Sequence, residues 1–160
     1  MSADPLAPAK MAHFVLQSPD APALVAWYKE VLAMQEVFAN ERISFLSFDG
    51  EHHRLAIGHN PKLKPRDPQA AGVHHLAFSF AGLPELLQTY RRLRQRDIRP
   101  YWCVNHGMST SMYYRDPDGN QVELQVDNFP TAEECQAVFR NRAFGQNIYG
   151  IDYDPDRMLS

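Results

Sequence analysis

The sequence predicts an α+β fold in which two βαβββ modules form a curved mixed sheet around a metal-binding trough, followed by a C-terminal helical extension. The first observation is that one order of elements, a strand, a helix and three strands, occurs twice in the 160 residues. The second is that three strand-like segments each carry a potential metal ligand, namely His13, His75 and Glu123. Because side chains alternate between the faces of a strand, each segment can pack an apolar face on helices and turn its ligand to the trough.

The first module is predicted to span residues 11–58. Residues 1–10 precede it and lack the apolar core of a signal peptide, so we expect a loose tail. The hydrophobic pattern predicts a strand, a helix and three short strands, over 11–17, 20–33, 35–39, 43–48 and 53–58. The helix follows capping residues and has apolar side chains at helical spacing, namely Leu24, Trp27, Tyr28, Val31 and Leu32.

The second module is predicted to span residues 73–127, after a proline-rich, solvated linker over 59–72. The same pattern predicts a strand, a helix and three strands, over 73–80, 83–96, 99–104, 110–115 and 121–126. The last two strands are joined by Asp-Pro-Asp-Gly-Asn at 116–120, a sequence typical of a tight turn.

The extension over residues 128–160 is predicted to begin with a helix. Thr131 and Glu134 fit a capping box. Beyond Arg142 the chain is too apolar for a free tail. We expect it to pack against the sheet, to meet a second subunit or to close the trough, and the sequence leaves these three alternatives open.

Composition narrows the class of protein. A hydrophobic content of 44% is that of a globular chain, and a formal charge of −3 without a basic stripe argues against nucleic acid. No apolar run reaches the roughly 20 residues that a membrane span needs. The two cysteines, Cys103 and Cys135, lack metal-binding spacing and indicate a reducing compartment, so we expect a cytoplasmic protein.

The three potential ligands indicate one kind of metal chemistry. Two histidines and one carboxylate with open coordination positions form the arrangement suited to Fe(II) and oxygen. His75 is preferred over His74 as the ligand, because His74 would lie on the same face of the strand as Leu76 and Phe78. A single histidine on a strand is usually structural; the combination with Glu123 on matched strands of a repeat favours a metal site.

Several stretches then resemble a known family. They are 12–15 (Ala-His-Phe-Val), 51–57 (Glu-His-His-Arg-Leu-Ala-Ile), 73–75 (Val-His-His), and Tyr113 ahead of 116–123. Over about residues 11–127 the chain resembles the vicinal oxygen chelate superfamily, which includes glyoxalase I, bleomycin-resistance proteins and type I extradiol dioxygenases. It looks most like a small single-domain type I extradiol dioxygenase.

The resemblance implies roles for individual residues. It implies that His13, His75 and Glu123 bind the metal, with Fe(II) as the cofactor and Mn(II) as its alternative, and that His53 and Tyr113 are catalytic. The dioxygenases usually carry a further histidine nine residues before the tyrosine. Here His106 lies seven before Tyr113, so a loop shortened by two residues would make His106 the third catalytic group.

The resemblance also implies an activity. An extradiol dioxygenase acting on catechol or a 2,3-dihydroxybiphenyl-like compound inserts O₂ next to the diol and opens the ring, as in aromatic compound catabolism. The expected partners are a small aromatic diol, O₂ and further copies of the chain in a homodimer or larger homo-oligomer. One alternative is a glyoxalase-like isomerase or lyase, with Glu51 as a fourth ligand if its strand begins earlier than predicted. The other is a metal-free small-molecule binder of the resistance type.

Overall fold

The computed structural model describes residues 5–159 and divides them into two compact units, one ending at Pro65 and the other beginning at Arg66. Each unit contains one strand–helix–three-strand repeat and its own sheet. The predicted α+β class and the duplicated βαβββ order are therefore confirmed. None of the helices within residues 5–159 is long and apolar enough to span a membrane.

The first unit is a mixed four-stranded sheet with one helix, and its strand order is β1-β4-β3-β2. Strands β1 and β4 are parallel, whereas β2, β3 and β4 run antiparallel to one another. The bounds are β1 Phe14–Ser18, α1 Ala21–Val31, β2 Gln35–Ala39, β3 Ile43–Ser47 and β4 Leu55–His59. Helix α1 begins where the Asp20 side chain accepts a hydrogen bond from the backbone of Ala23, and its apolar stripe, including Leu24 and Tyr28, is buried.

The second unit is built on a mixed five-stranded sheet with the order β5-β8-β7-β6-β9. The pair β5–β8 is parallel and the other pairs are antiparallel. The bounds are β5 His75–Ser79, α2 Leu83–Arg94, β6 Trp102–Asn105, β7 Ser109–Arg115 and β8 Gln121–Asp127, followed by α3 Ala132–Phe139, α4 Arg142–Gln146, β9 Ile151–Asp152 and a 3₁₀ helix Pro155–Met158. The apolar face of α2 is buried through Leu86, Tyr90 and Leu93.

The turn between β7 and β8 sets the register of these two strands. The Asp116 carboxylate accepts hydrogen bonds from the backbone N–H groups of Asp118 and Asn120, at 3.0 and 2.8 Å, and Gly119 has φ +81°. The resulting pairing places Tyr113 opposite Glu123. Turn chemistry thus brings two candidate site residues side by side.

Part of the C-terminal extension belongs to the second sheet. The Thr131–Glu134 capping box is present and opens α3, as predicted. Strand β9 then pairs with the outer edge of β6, and the 3₁₀ helix is tied to α2 because the Tyr90 hydroxyl and the Arg94 guanidinium both bind the Asp156 carboxylate. This part of the extension therefore packs against the sheet, which is one of the three predicted alternatives.

Several strands begin later than predicted. Strand β1 begins at Phe14 instead of residue 11, because Arg54 donates hydrogen bonds to the carbonyls of Met11 and Ala12, which places those residues outside the ladder. Strand β4 begins at Leu55 instead of residue 53. His13 and His53 therefore lie just before their strands, not on them. Strands β5 and β6 likewise begin at His75 and Trp102, two and three residues late.

Candidate active site

In the second unit, His75 and Glu123 lie in contact on the adjacent strands β5 and β8. Nε2 of His75 is 2.9 Å from Oε2 of Glu123. Glu123 is only 5% exposed, between Val122 and Leu124, which are fully buried on the opposite face. A buried carboxylate is costly unless it is paired or binds a cation. The pair therefore places one imidazole and one carboxylate where a cation could lie.

The other ring nitrogen of His75 is also engaged. Nδ1 of His74 lies 2.8 Å from Nδ1 of His75, so one ring donates to the other. A hydrogen bond at the second nitrogen of an imidazole fixes its orientation, as is common beside metal sites. His74 was expected on the opposite, apolar face, but it precedes β5, so the alternation of the strand does not apply to it.

Tyr113 and His106 form a second pair in the same unit. Nε2 of His106 is 3.0 Å from the Tyr113 hydroxyl, and the ring of Tyr113 meets that of His75 edge-on at 5.4 Å between centroids. Burial raises the pKa of Tyr113, and the charge and hydrogen bond of Glu123 raise it further. Tyr113 thus remains protonated and can donate a hydrogen bond at neutral pH.

In the first unit, His13 and His53 lie beside each other. Their ring centroids are 4.3 Å apart, and the ring of His53 also stacks on that of Phe45, with 4.6 Å between centroids. Nδ1 of His53 is 2.6 Å from Nδ1 of His52. The pKa of His53 is lowered first by burial and then by His13 and His52, which favours the neutral ring.

Glu51 does not take the position that the fourth-ligand alternative required. That alternative needed a strand that begins earlier than predicted, whereas β4 begins at Leu55, after Glu51. The Glu51 carboxylate instead forms an ion pair with Lys10, which lowers the pKa of Glu51.

Comparison with known proteins identifies the family. Residues 10–124 match the model of the Glyoxalase/Bleomycin resistance protein/Dioxygenase superfamily. The chain belongs to this superfamily.

Two curated relatives lie within the superfamily's dioxygenase branch. The chain is 44% identical to Biphenyl-2,3-diol 1,2-dioxygenase 2 of Rhodococcus globerulus, over 91% of its own length and 77% of the relative's. It is 43% identical to Biphenyl-2,3-diol 1,2-dioxygenase 3 of the same organism, over 91% and 78% of the two chains. The resemblance to dioxygenases in the sequence is thereby confirmed.

A solved structure shows the same fold. The glyoxalase/dioxygenase from Nostoc punctiforme is 22% identical, and the match covers 81% of this chain and all of that one with a TM-score of 0.64. At this identity the likeness concerns the fold alone.

Membership of this superfamily and similarity to the two dioxygenases imply a divalent metal ion. The His75–Glu123 pair fits one, because a neutral imidazole and a carboxylate are ordinary ligands of first-row divalent metals. Within either unit, the described residues include no group of three His, Cys, Asp or Glu side chains that could hold a metal by itself. The predicted set, which takes His13 from the first unit, stays a prediction.

The sequence did not single out Trp102 or His52, although each contacts a predicted site residue. The β6–β7 pairing places Trp102 opposite Tyr113, and the two rings stack with 4.8 Å between centroids. A local sequence pattern does not reveal such a pairing. His52 contacts His53. The histidine doublets at 52–53 and 74–75 are a signal in the sequence that points to His52 and His74 as neighbours of His53 and His75.

Proposed function

We propose that this chain is a type I extradiol dioxygenase, which inserts O₂ next to the diol of a catechol or 2,3-dihydroxybiphenyl-like substrate and opens the ring. The observation that carries the proposal is the contact between His75 and Glu123 with the Tyr113–His106 pair beside it. The names of the two relatives at 43 and 44% identity support the reaction and the class of substrate.

His13, His75 and Glu123 would hold the metal, Fe(II) by preference and Mn(II) as the alternative. Two imidazoles and one carboxylate leave coordination positions open and suit Fe(II) in oxygenases. When bound, such an ion lowers the pKa of the substrate hydroxyls and supplies the redox chemistry that O₂ requires.

The other site residues would move and hold protons. Nδ1 of His53 is engaged by His52, so its Nε2 would accept the diol proton and later return it as an acid. The Tyr113 hydroxyl would donate a hydrogen bond to the charge that develops on a substrate oxygen, with His106 as its partner. Donors already held in place act without reorganisation during the reaction.

The proposal also covers partners and location. The substrates are a small aromatic diol and O₂, and the product is a ring-opened compound of the muconic semialdehyde type. Assembly into a homodimer or larger homo-oligomer stays a prediction. So does a cytoplasmic location, which the two free cysteines support.

An oxygen-electrode screen tests the function. Protein loaded anaerobically with Fe(II) should consume O₂ with 2,3-dihydroxybiphenyl or catechol and give a yellow product. The His75→Ala variant serves as the matched control and should neither retain iron nor turn over. Absence of oxygen uptake across a catechol panel, together with activity on a thiol–ketoaldehyde adduct, would instead favour the isomerase.

A further inference from the structure

Residues 150–153, here termed the C-terminal strap, lie along the outer edge of the second sheet. Val104 of β6 pairs with Asp152, and Asn105 pairs with Ile151. The backbone N–H of Tyr153 donates to the carbonyl of Cys103 at 3.1 Å. The strap therefore extends the sheet that holds Tyr113.

The side chain of Trp102, on β6, links the strap to the site. The indole Nε1–H of Trp102 donates to Oδ1 of Asp152 at 2.8 Å. The same indole stacks on Tyr113, at 4.8 Å and 25°, and meets His106 edge-on at 5.7 Å. An indole has two rotatable bonds, so one hydrogen bond together with one stacking partner fixes its orientation. A continuous set of contacts thus runs from the strap to the Tyr113–His106 hydrogen bond.

A second contact reaches the backbone of His106. Gly150 has φ +91°, and a Cβ placed on it would overlap the carbonyl oxygen of Asn105 and lie 2.8 Å from Cα of His106. The side chain of Asn147 holds this position, because it accepts from the N–H of Gly150 at 3.1 Å and donates to its carbonyl at 2.7 Å. Only glycine allows so close an approach at this φ.

We propose that Asp152 and Trp102 are positioning residues, which keep the Tyr113 hydroxyl and the His106 imidazole in their hydrogen-bonded geometry. The effect on rate rests on the proposed function. A donor aimed at charge that develops in the transition state loses most of its effect when its supporting side chains are loosened. The chemical step then slows while ground-state binding of the substrate changes little.

Substitutions at Asp152 separate this role from a general structural one. Asp152→Ala removes the acceptor and should lower kcat about tenfold with KM nearly unchanged. Asp152→Asn keeps an acceptor oxygen and should stay within about twofold of the parent. Asp154→Asn removes the same charge two residues away, where an asparagine can still cap the 3₁₀ helix, and should leave kcat unchanged.

Trp102→Phe provides an independent second variant. Phenylalanine keeps a ring against Tyr113 but lacks the indole N–H, so it should lower kcat about as much as Asp152→Ala. The double variant should be no slower than either single variant, since both remove the same interaction. Multiplicative losses in the double variant would overturn the proposal.

Two spectroscopic measurements on metal-free protein do not depend on turnover. In a Trp27→Phe background Trp102 is the sole tryptophan, and Asp152→Ala should increase its fast rotational motion in time-resolved anisotropy. The ¹⁵N shift of the His106 Nε2 should move in Asp152→Ala and return towards the parent value in Asp152→Asn. Unchanged anisotropy and unchanged shifts would overturn the positioning role, whereas a parent protein without oxygen uptake would overturn only the proposed function.

Discussion

At the scale of single residues, Glu123 is the most informative side chain of the site. Its carboxylate lies almost without exposure in β8, next to His75 and to the hydroxyl of Tyr113. A buried carboxylate is costly to folding unless it is paired or binds a cation. Its burial therefore supports a ligand role independently of the comparisons.

We expect Glu123→Gln to abolish stoichiometric metal binding, because a neutral amide lacks the negative charge with which the carboxylate compensates a divalent cation. Elemental analysis after anaerobic loading would measure the loss. Glu133→Gln, which changes an exposed carboxylate on α3, is the matched control and should load fully. A Glu123→Gln protein that retains one metal per chain would remove Glu123 from the ligand set.

We expect His53→Gln to keep its metal and to lower kcat by roughly 10²–10⁴, the usual contribution of a general acid or base. His59→Gln, at the exposed end of β4, should leave both quantities unchanged. Metal content and oxygen uptake measured on the same samples distinguish a slower reaction with the metal retained from loss of the metal. Loss of the metal from His53→Gln would make His53 a ligand instead of a proton carrier.

At the scale of elements, the register of β8 determines which way Glu123 points. Val122 and Leu124 are fully buried on the face opposite to it, and Tyr113 and Ala77 are its pairing partners in β7 and β5. A slip of one residue would exchange the two faces and turn Glu123 into the apolar layer. The apolar row of β8 thus contributes to stability and orients the site residue.

Leu124→Ala should lower the free energy of unfolding by about 2–5 kcal/mol, since it removes a fully buried side chain and leaves a cavity. Urea denaturation of the metal-free protein would measure the change. Val15→Ala, at a side chain that is 57% exposed, is the control and should change the free energy by less than about 0.5 kcal/mol. Equal effects of the two substitutions would contradict the burial of this row.

The elements that the sequence predicts well are those in which a regular spacing of apolar residues continues over many residues. Helix α2 and the alternation of β8 follow directly from hydrophobic spacing. The start of β1 does not, because the side chain of Arg54, which lies just before β4, binds the carbonyls of Met11 and Ala12. Strand β9 is only two residues long, so it has no alternation to read, and its pairing with β6 is a long-range contact.

At the scale of the whole molecule, the predicted ligands are distributed over both units. His13 belongs to the first unit, and His75 and Glu123 belong to the second. If a metal binds all three residues, it should protect both units against local unfolding. Binding stabilises each folded segment that supplies a ligand.

Hydrogen exchange should therefore show that metal loading slows amide exchange in β1 and β4 as well as in β5 and β8. Mass spectrometry of peptides from the loaded and metal-free protein would measure the difference. The His13→Ala variant should lose the added protection in both units. Protection confined to the second unit would show that His13 is not a ligand.

Alkaline pH should destabilise the molecule through three groups of the second unit that are buried or half-buried, Cys103, Tyr114 and Tyr153. Burial raises the pKa of Cys103 to about 11 from its ordinary 9.0, and burial also raises the pKa values of Tyr114 and Tyr153. The unfolded chain releases these protons near pH 9–10, as free thiols and phenols do, whereas the folded chain retains them. Because the folded state then binds more protons, the free energy of unfolding falls as pH rises above about 9.

Urea denaturation of the metal-free protein at pH 7.5, 9, 10 and 11 should show this fall. Cys103→Ala should be less stable at pH 7.5 because of the lost packing, yet lose less of its remaining stability between pH 9 and pH 11, because one raised pKa is gone. Cys135→Ala is the matched control. A free energy of unfolding that stays constant to pH 11, or an equal slope in the parent and Cys103→Ala, would contradict the assignment of the buried protons.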